Sequence, residues 1–321
     1  MVEKTTMELT SPIDGLVLHA NVYTPEQPRA IVQIFHGMSE HKERYDELCN
    51  LLAKFNCVVL ISDHRGHGES INESIPLGHF ADNDGWRSEL KDLNLFAKTI
   101  HEKYRNLPYF IIGHSMGSLL ACSYLKRYED SINGVILSGM PAYNPNVPKG
   151  RQLAKAICKL HGNKGHSSTL IRLTNTFNRT IRNPRTDFDW ISYNTDNVDK
   201  YIDDPLCGFP FTNGGYFDLL DGMQDVFNNR DWRVLKTNLP ILFMVGQDDS
   251  CADVPQGFQK SLDNLTKAGY ANIEANVYEN MRHEIFNENN RKVVYRDLLT
   301  WIDVQIKAME SIDISEEIIY Q

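Results

Sequence analysis

A chain that repeats short apolar runs between amphipathic helices has few ways to fold. AIVQIF (30–35), CVVLIS (57–62), PYFIIG (108–113), GVILSG (134–139), PILFMVG (240–246) and NIEANVY (272–278) read as strands. Residues 43–55, 86–104, 115–128, 254–265 and 290–306 read as helices. In 86–104, Leu90, Leu93, Phe96, Ala97, Ile100 and Tyr104 fall on one helical face. Strands without a polar face need cover on both sides, and connections of helical length make neighbouring strands parallel. The expected fold class is therefore α/β: a mostly parallel central sheet with helices on both faces. Residues 8–23 read as a leading antiparallel hairpin that turns at Asp14-Gly15.

The alternation fails between about 141 and 231, straight after a strand end. Open α/β sheets place their binding sites at that carboxyl edge, so the expected organisation is a core of 1–140 and 232–321 with a cap inserted at 141–231. From Ser131 to Thr186 there is no Asp or Glu, while Lys149, Arg151, Lys155, Lys159, Lys164, Arg172, Arg179, Arg182 and Arg185 all fall there. Two helices are expected in it. In 151–160, Leu153, Ile157 and Leu160 share a face; in 170–182, Leu170, Leu173, Phe177 and Ile181 align, with Arg172, Arg179 and Arg182 mostly opposite. Ordinary packing of the apolar faces on the core accounts for this pattern. The missing acid over 56 residues of an acidic chain adds a second expectation, peripheral contact of the lobe with anionic lipid surfaces.

The formal net charge of −9 argues against nucleic acid as a partner. No apolar run is long enough for a transmembrane segment, and MVEKTTMELTSP lacks the apolar centre of a signal peptide. The six cysteines contain no CxxC pair and several sit inside apolar runs, which reads as reduced thiols of a cytoplasmic protein. HRGH (64–67) and HGNKGH (161–166) have no acidic or cysteine partner at zinc-ligand spacing, so neither is read as a metal site.

GHSMG (113–117) is a G-x-S-x-G pattern set between a strand and a helix. In that context the serine sits on a tight turn that exposes its hydroxyl above the sheet, with the helix N-terminus favouring a developing anion. Ser115 is thus a candidate nucleophile, and a serine needs a base. The chain order for such a turn is Ser, acid, His, each after a strand. Asp248 and Asp249 follow one strand and His283 follows the next. The histidine would take the serine's proton while the aspartate fixes its tautomer. IFHGMSEH (34–41) is a strand end with a glycine that lets backbone approach a ligand, and the N–H groups of Met38 and Met116 are the candidate oxyanion donors. His36 reads as a structural hydrogen-bonder beneath that loop.

HGMSEHKERY (36–45), DHRGHGES (63–70), GHSMG (113–117), DPLCGF (204–209), VGQDDSCAD (245–253) and MRHEIFNE (281–288) together resemble the α/β-hydrolase fold, and within it the monoacylglycerol lipase and lysophospholipase group. The resemblance implies a triad of Ser115, Asp249 and His283, since the group's acid ends a G-x-x-D pattern, here Gly246 to Asp249. It implies Met38 and Met116 as oxyanion donors, a cap where the alternation fails, no cofactor and no metal. The substrate it implies is a single-chain lipid ester, a monoacylglycerol or lysophospholipid. Outside DPLCGF the cap matches little, so small-ester or aromatic-acid esterase, acyltransferase and peptidase chemistry on the same triad stay open, as does a non-catalytic binding protein on this scaffold.

Overall fold

The computed structural model describes residues 1–174 and 176–319, with the side chains of Thr174, Arg179 and 312–319 left aside. Eight strands form one sheet: β1 (Val2–Thr10), β2 (Val17–Pro25), β3 (Ala30–Phe35), β4 (Cys57–Ser62), β5 (Tyr109–His114), β6 (Gly134–Ser138), β7 (Ile241–Gly246) and β8 (Ile273–Tyr278). Their order is β1-β2-β4-β3-β5-β6-β7-β8. β1 pairs antiparallel with β2, and β2 with β4; every other pair is parallel. The expected mostly parallel sheet is therefore the one that forms.

The two-residue period of a strand sorts the apolar side chains between two cores. Ile31, Phe35, Val58, Leu60 and Ile111 point to one face. There they meet Leu93 and Phe96 of α2 (Gly85–Lys103), Leu119 of α3 (Met116–Tyr128) and Leu265 of α8 (Gln256–Ala268). Val32, Ile34, Val59, Ile61 and Ile112 point to the other face. They meet Leu48 and Leu52 of α1 (Asp46–Lys54) and Leu298 and Ile302 of α9 (Arg291–Ile319). Burying one such side chain is worth about 1.5–3 kcal/mol, so each helix is held chiefly by its apolar stripe.

The leading hairpin is longer than its sequence suggested. β1 begins at Val2, in a run whose alternation is carried by polar residues, and its Glu3 and Lys4 suit an exposed sheet edge. Between β6 and β7 lie α4 (Val147–His161), α5 (Ser168–Thr174), α6 (Thr195–Asp203) and α7 (Asn213–Phe227). α7 packs on α4 and also on α2 and α3, while Tyr193, Asp204, Gly208 and Phe209 bond to loops at the carboxyl ends of the strands.

Two expectations about this interval need correction. The second basic helix does not run from 170 to 182; α5 ends at Thr174 and a separate short turn spans Phe177–Thr180. Asn175 and the side chain of Arg179 lie outside the described residues. Asn178 shows why a helix fails there: its side chain donates to Thr186 O at 2.8 Å and accepts from Trp190 N at 3.1 Å, bonds that compete with helical ones. In α4 the inward residues are Val147 and Ala154, with Ile157 beside them, because the small Ala154 admits α7. Leu153 and Leu160 instead face solvent at 40% and 78% exposure, as does Leu173 of α5 at 57%. Among the described residues no helix is long and apolar enough to cross a membrane.

Candidate active site

β5 ends at His114 and α3 begins at Met116, so the whole turn between strand and helix is one residue. Ser115 takes φ 53°, ψ −119°, a conformation that costs a non-glycine residue on the order of 1–3 kcal/mol. The turn closes only because of its glycines. A Cβ on Gly117 would stand 1.9 Å from Phe35 O, and one on Gly113 would stand 2.4 Å from Gly117 O. Ser115 N donates to Ser138 O at 2.9 Å, which ties the elbow to the end of β6.

The loops after β7 and β8 bring the acid and the histidine together. His283 Nδ1 lies 2.9 Å from Asp249 Oδ2, both side chains being buried. Asp249 Oδ1 accepts from Cys251 N at 2.8 Å and Ala252 N at 3.1 Å, which points its other oxygen at the ring. Asp248 is exposed and accepts instead from Tyr193 OH at 3.0 Å. Geometry thus separates the two aspartates that the sequence left side by side.

His283 Nε2 is buried and has no hydrogen-bond partner among the described residues. It is not bonded to Ser115, although Gly139, next to the Ser115 anchor Ser138, has a Cβ position 3.1 Å from the His283 ring. Such gaps are common in free enzymes and close when substrate binds. The ring is flanked by His114 at 4.8 Å and by Trp190 at 4.9 Å between centroids. Burial disfavours the imidazolium, but the Asp249 carboxylate outweighs it, with Glu284 and Glu40 adding to the pull, and the His283 pKa is raised above its ordinary 6.5. Burial would likewise raise the Asp249 carboxyl, yet the facing His283 and the two N–H bonds hold it below its ordinary value.

Gly37 and Met38 follow β3 next to the elbow; a Cβ on Gly37 would lie 3.3 Å from Ser115 Cβ. Gly37 N donates to Glu40, whereas the N–H groups of Met38 and Met116 have no acceptor among the described residues. His36 is the hydrogen-bonder expected: Nδ1 meets Gly37 O at 2.8 Å, and Nε2 accepts from His64 N at 3.0 Å. HRGH also lies in this buried layer, with Arg65 Nη1 on Asp92 at 2.6 Å and both His64 ring nitrogens bonded to acceptors.

Sequence reasoning missed a buried network behind the site. Arg44 Nε meets Glu40 Oε2 at 3.1 Å, and Arg44 Nη2 meets Glu284 Oε2 at 2.5 Å. Two carboxylates share one guanidinium: burial pushes the Glu40 carboxyl up, while Arg44 holds that of Glu284 down against burial. Asn197 of α6 donates to Glu284 at 2.7 Å, which links the interval after β6 to the residue beside His283. The i,i+4 spacing of Glu40 and Arg44 inside HGMSEHKERY was the available signal. Trp190 carried none, because only the fold brings it to His283.

Residues 26–290 match the family model described as serine aminopeptidase, S33, and the chain belongs to that α/β-hydrolase family. It is 27% identical to a monoacylglycerol lipase of Mycolicibacterium smegmatis, over 94% of this chain and 99% of the relative. It is 26% identical to the monoglyceride lipase of Rattus norvegicus, over 91% and 89% respectively. The crystal structure of a carboxyl esterase from Bacillus coagulans superposes with a TM-score of 0.87 at 27% identity, covering 94% of this chain and 99% of that one.

Proposed function

We propose that this protein hydrolyses carboxylic esters of single-chain lipids, monoacylglycerols or lysophospholipids, through an acyl-enzyme on Ser115. The observation that carries the reading is His283 with Nδ1 held by Asp249 and a buried Nε2 left free beside the strained Ser115 turn. Nε2 takes the Ser115 proton as Oγ attacks the acyl carbonyl, and the alcohol leaves with that proton. Met38 and Met116 N–H hold the oxyanion; one such donor is typically worth about 3 kcal/mol. Water activated by His283 then releases the fatty acid. Neither step draws on a cofactor.

Residues 141–231 act as a cap over the strand ends and supply the acyl-binding wall. Support for the lipid substrate comes from the similarity to proteins named monoacylglycerol and monoglyceride lipase. The test is hydrolysis of p-nitrophenyl esters from acetyl to palmitoyl. The rate is expected to peak at medium or long chains. A peak at acetyl would replace the lipid substrate with a small ester, and faster cleavage of aminoacyl anilides than of any ester would make the protein a peptidase.

The outer face of the cap supports peripheral contact with anionic lipid. Leu153, Leu160 and Leu173 are exposed there, and Lys149, Lys155, Lys159, Lys164, Arg172 and Arg182 have no ion-pair partner among the described residues. Arg151 and Arg185 are paired, with Asp221 at 2.5 Å and Asp199 at 2.6 Å. Co-sedimentation is expected with anionic vesicles and to weaken as salt rises. Equal binding to neutral vesicles would remove the electrostatic part of the reading. All six cysteines are unpaired and five are buried, which supports a reducing, cytoplasmic location.

A further inference from the structure

The seam between the Gly37–Arg44 loop and the interval after β6 brings three ligand-type side chains together. His41 Nε2 lies 2.8 Å from Asp204 Oδ2, although 163 positions separate them in the chain. Cys207 follows Asp204 in a tight turn: Cys207 N donates to Asp204 O at 3.0 Å, and Leu206 N donates to Asp204 Oδ1 at 2.8 Å. That turn sets thiol and carboxylate on the same side. The His41 nitrogen, an Asp204 oxygen and the Cys207 sulfur all lie within 4.8 Å of one another.

We propose that His41, Asp204 and Cys207 bind a zinc-class divalent cation, with water as the fourth ligand. The donor set is one imidazole, one carboxylate and one thiolate, which suits a tetrahedral cation of borderline softness and excludes magnesium or calcium. Tetrahedral zinc with ordinary bond lengths holds N and O about 3.3 Å apart and S and N about 3.6 Å apart. His41 and Asp204 therefore part by about half an ångström, and the sulfur draws in by about 1.2 Å at most. His41 and Cys207 are buried while the Asp204 side chain is 31% exposed, so the cation enters past Asp204 and keeps its water there.

The surroundings carry the right charge. Arg44 is the cation nearby, and its guanidinium already faces both Glu40 and Glu284. Asp204 is an acid beyond that balance. Burial holds the Cys207 thiol protonated, so binding displaces a proton: Cys–SH and M²⁺ give Cys–S–M⁺ and H⁺. The occupied site staples the loop that carries Met38 to the segment after β6, beside bonds already made from Gly208 N to Ser39 O at 2.9 Å and from Ser39 Oγ to Phe209 O at 2.7 Å. It lies outside the zinc reading set aside for HRGH and HGNKGH, since no spacing in the sequence joins position 41 to 204 and 207.

The test reads metal rather than turnover, so it stands or falls separately from the ester-hydrolase reading. Metal-free protein is titrated with Co²⁺ and followed by the near-ultraviolet thiolate-to-cobalt absorption, then with Zn²⁺ by calorimetry. One equivalent is expected to produce the band, and Zn²⁺ is expected to raise Tm. Cys207→Ser should lose the band and bind Zn²⁺ at least tenfold more weakly; Asp204→Asn should weaken Zn²⁺ similarly while keeping a thiolate band at higher Co²⁺. Cys158→Ser, at the half-buried cysteine on α4, should behave as the wild type. No band on full titration, or a band that survives Cys207→Ser, overturns the proposal.

Discussion

Ser115→Ala is expected to reduce ester hydrolysis by roughly 10⁴- to 10⁶-fold while the protein stays folded. In the proposed reaction the hydroxyl oxygen becomes bonded to the acyl group; the neighbouring Met116 is a thioether with no proton to give up, and the Ser118 hydroxyl is buried and donates to Gly113 O at 2.8 Å. Cys251, the nearest thiol in sequence to Asp249, is buried and its pKa is pushed up by that burial and by Asp249 itself, so it does not substitute. Alanine keeps the strained backbone at φ 53°, because the strain is set by Gly113 and Gly117 packing rather than by the side chain. Tm is therefore expected to change by no more than a surface substitution would change it, within about 0.5 kcal/mol of stability. Fluorophosphonate labelling should vanish in the same variant. A variant that kept even one per cent of the wild-type rate, with unchanged Tm, would remove Ser115 from the chemistry.

The parts of the fold that sequence patterning captured are those buried on both faces. β3, β4, β5, β6 and β7 are apolar along almost their whole length because helices cover both sides, and that leaves a run no loop would tolerate. Only the end of β1 was legible, as part of the leading hairpin, and its first six residues escaped because an edge strand can be polar; Val2 to Thr10 holds only Val2, Met7 and Leu9 as apolar contacts. α4 was legible as a helix but not in its rotation. Counting large apolar residues selected Leu153 and Leu160, whereas close approach of α7 selects the small Ala154. The site shows the same division. Ser115 and His283 stand at strand ends that the pattern locates, and the two-aspartate ambiguity was one of side-chain direction, which hydrogen bonds from Cys251 and Ala252 decide. Trp190, Asn197, Asp204 and Cys207 meet His283, Glu284 and His41 only through the path of the chain between β6 and β7. No local spacing encodes that path.

Asp249→Asn is expected to lower kcat by about 10⁴, and Asp248→Asn to leave it near the wild-type value. The carboxylate does two things for His283. It accepts the Nδ1 proton, which leaves Nε2 as the lone-pair nitrogen, and it raises the ring's pKa above 6.5 against burial. Asparagine places an N–H donor opposite Nδ1 whenever its oxygen keeps the bonds from Cys251 and Ala252. The ring then carries its proton on Nε2 and cannot accept one from Ser115. The pH profile tests this independently of the rate. Only the neutral ring is a base, so wild-type kcat/KM rises with pH through a midpoint above 6.5. With the carboxylate gone, burial is left to dominate, and the residual activity of the variant should show its midpoint at lower pH. Stability follows the opposite groups in opposite directions. His283, with its pKa raised by folding, adds stability that is complete below its unfolded value and lost as pH rises through its folded one. Asp249, with its pKa depressed, adds stability present above its unfolded value and lost as pH falls through its folded one. The Tm deficit of Asp249→Asn relative to wild type should therefore be larger at pH 6 than at a pH below the depressed folded pKa of Asp249, where protonation has removed the pair in the wild type. An unchanged midpoint together with a pH-independent Tm deficit would mean that Asp249 only supports the fold, and that His283 owes its basicity to Glu284 and Glu40 instead.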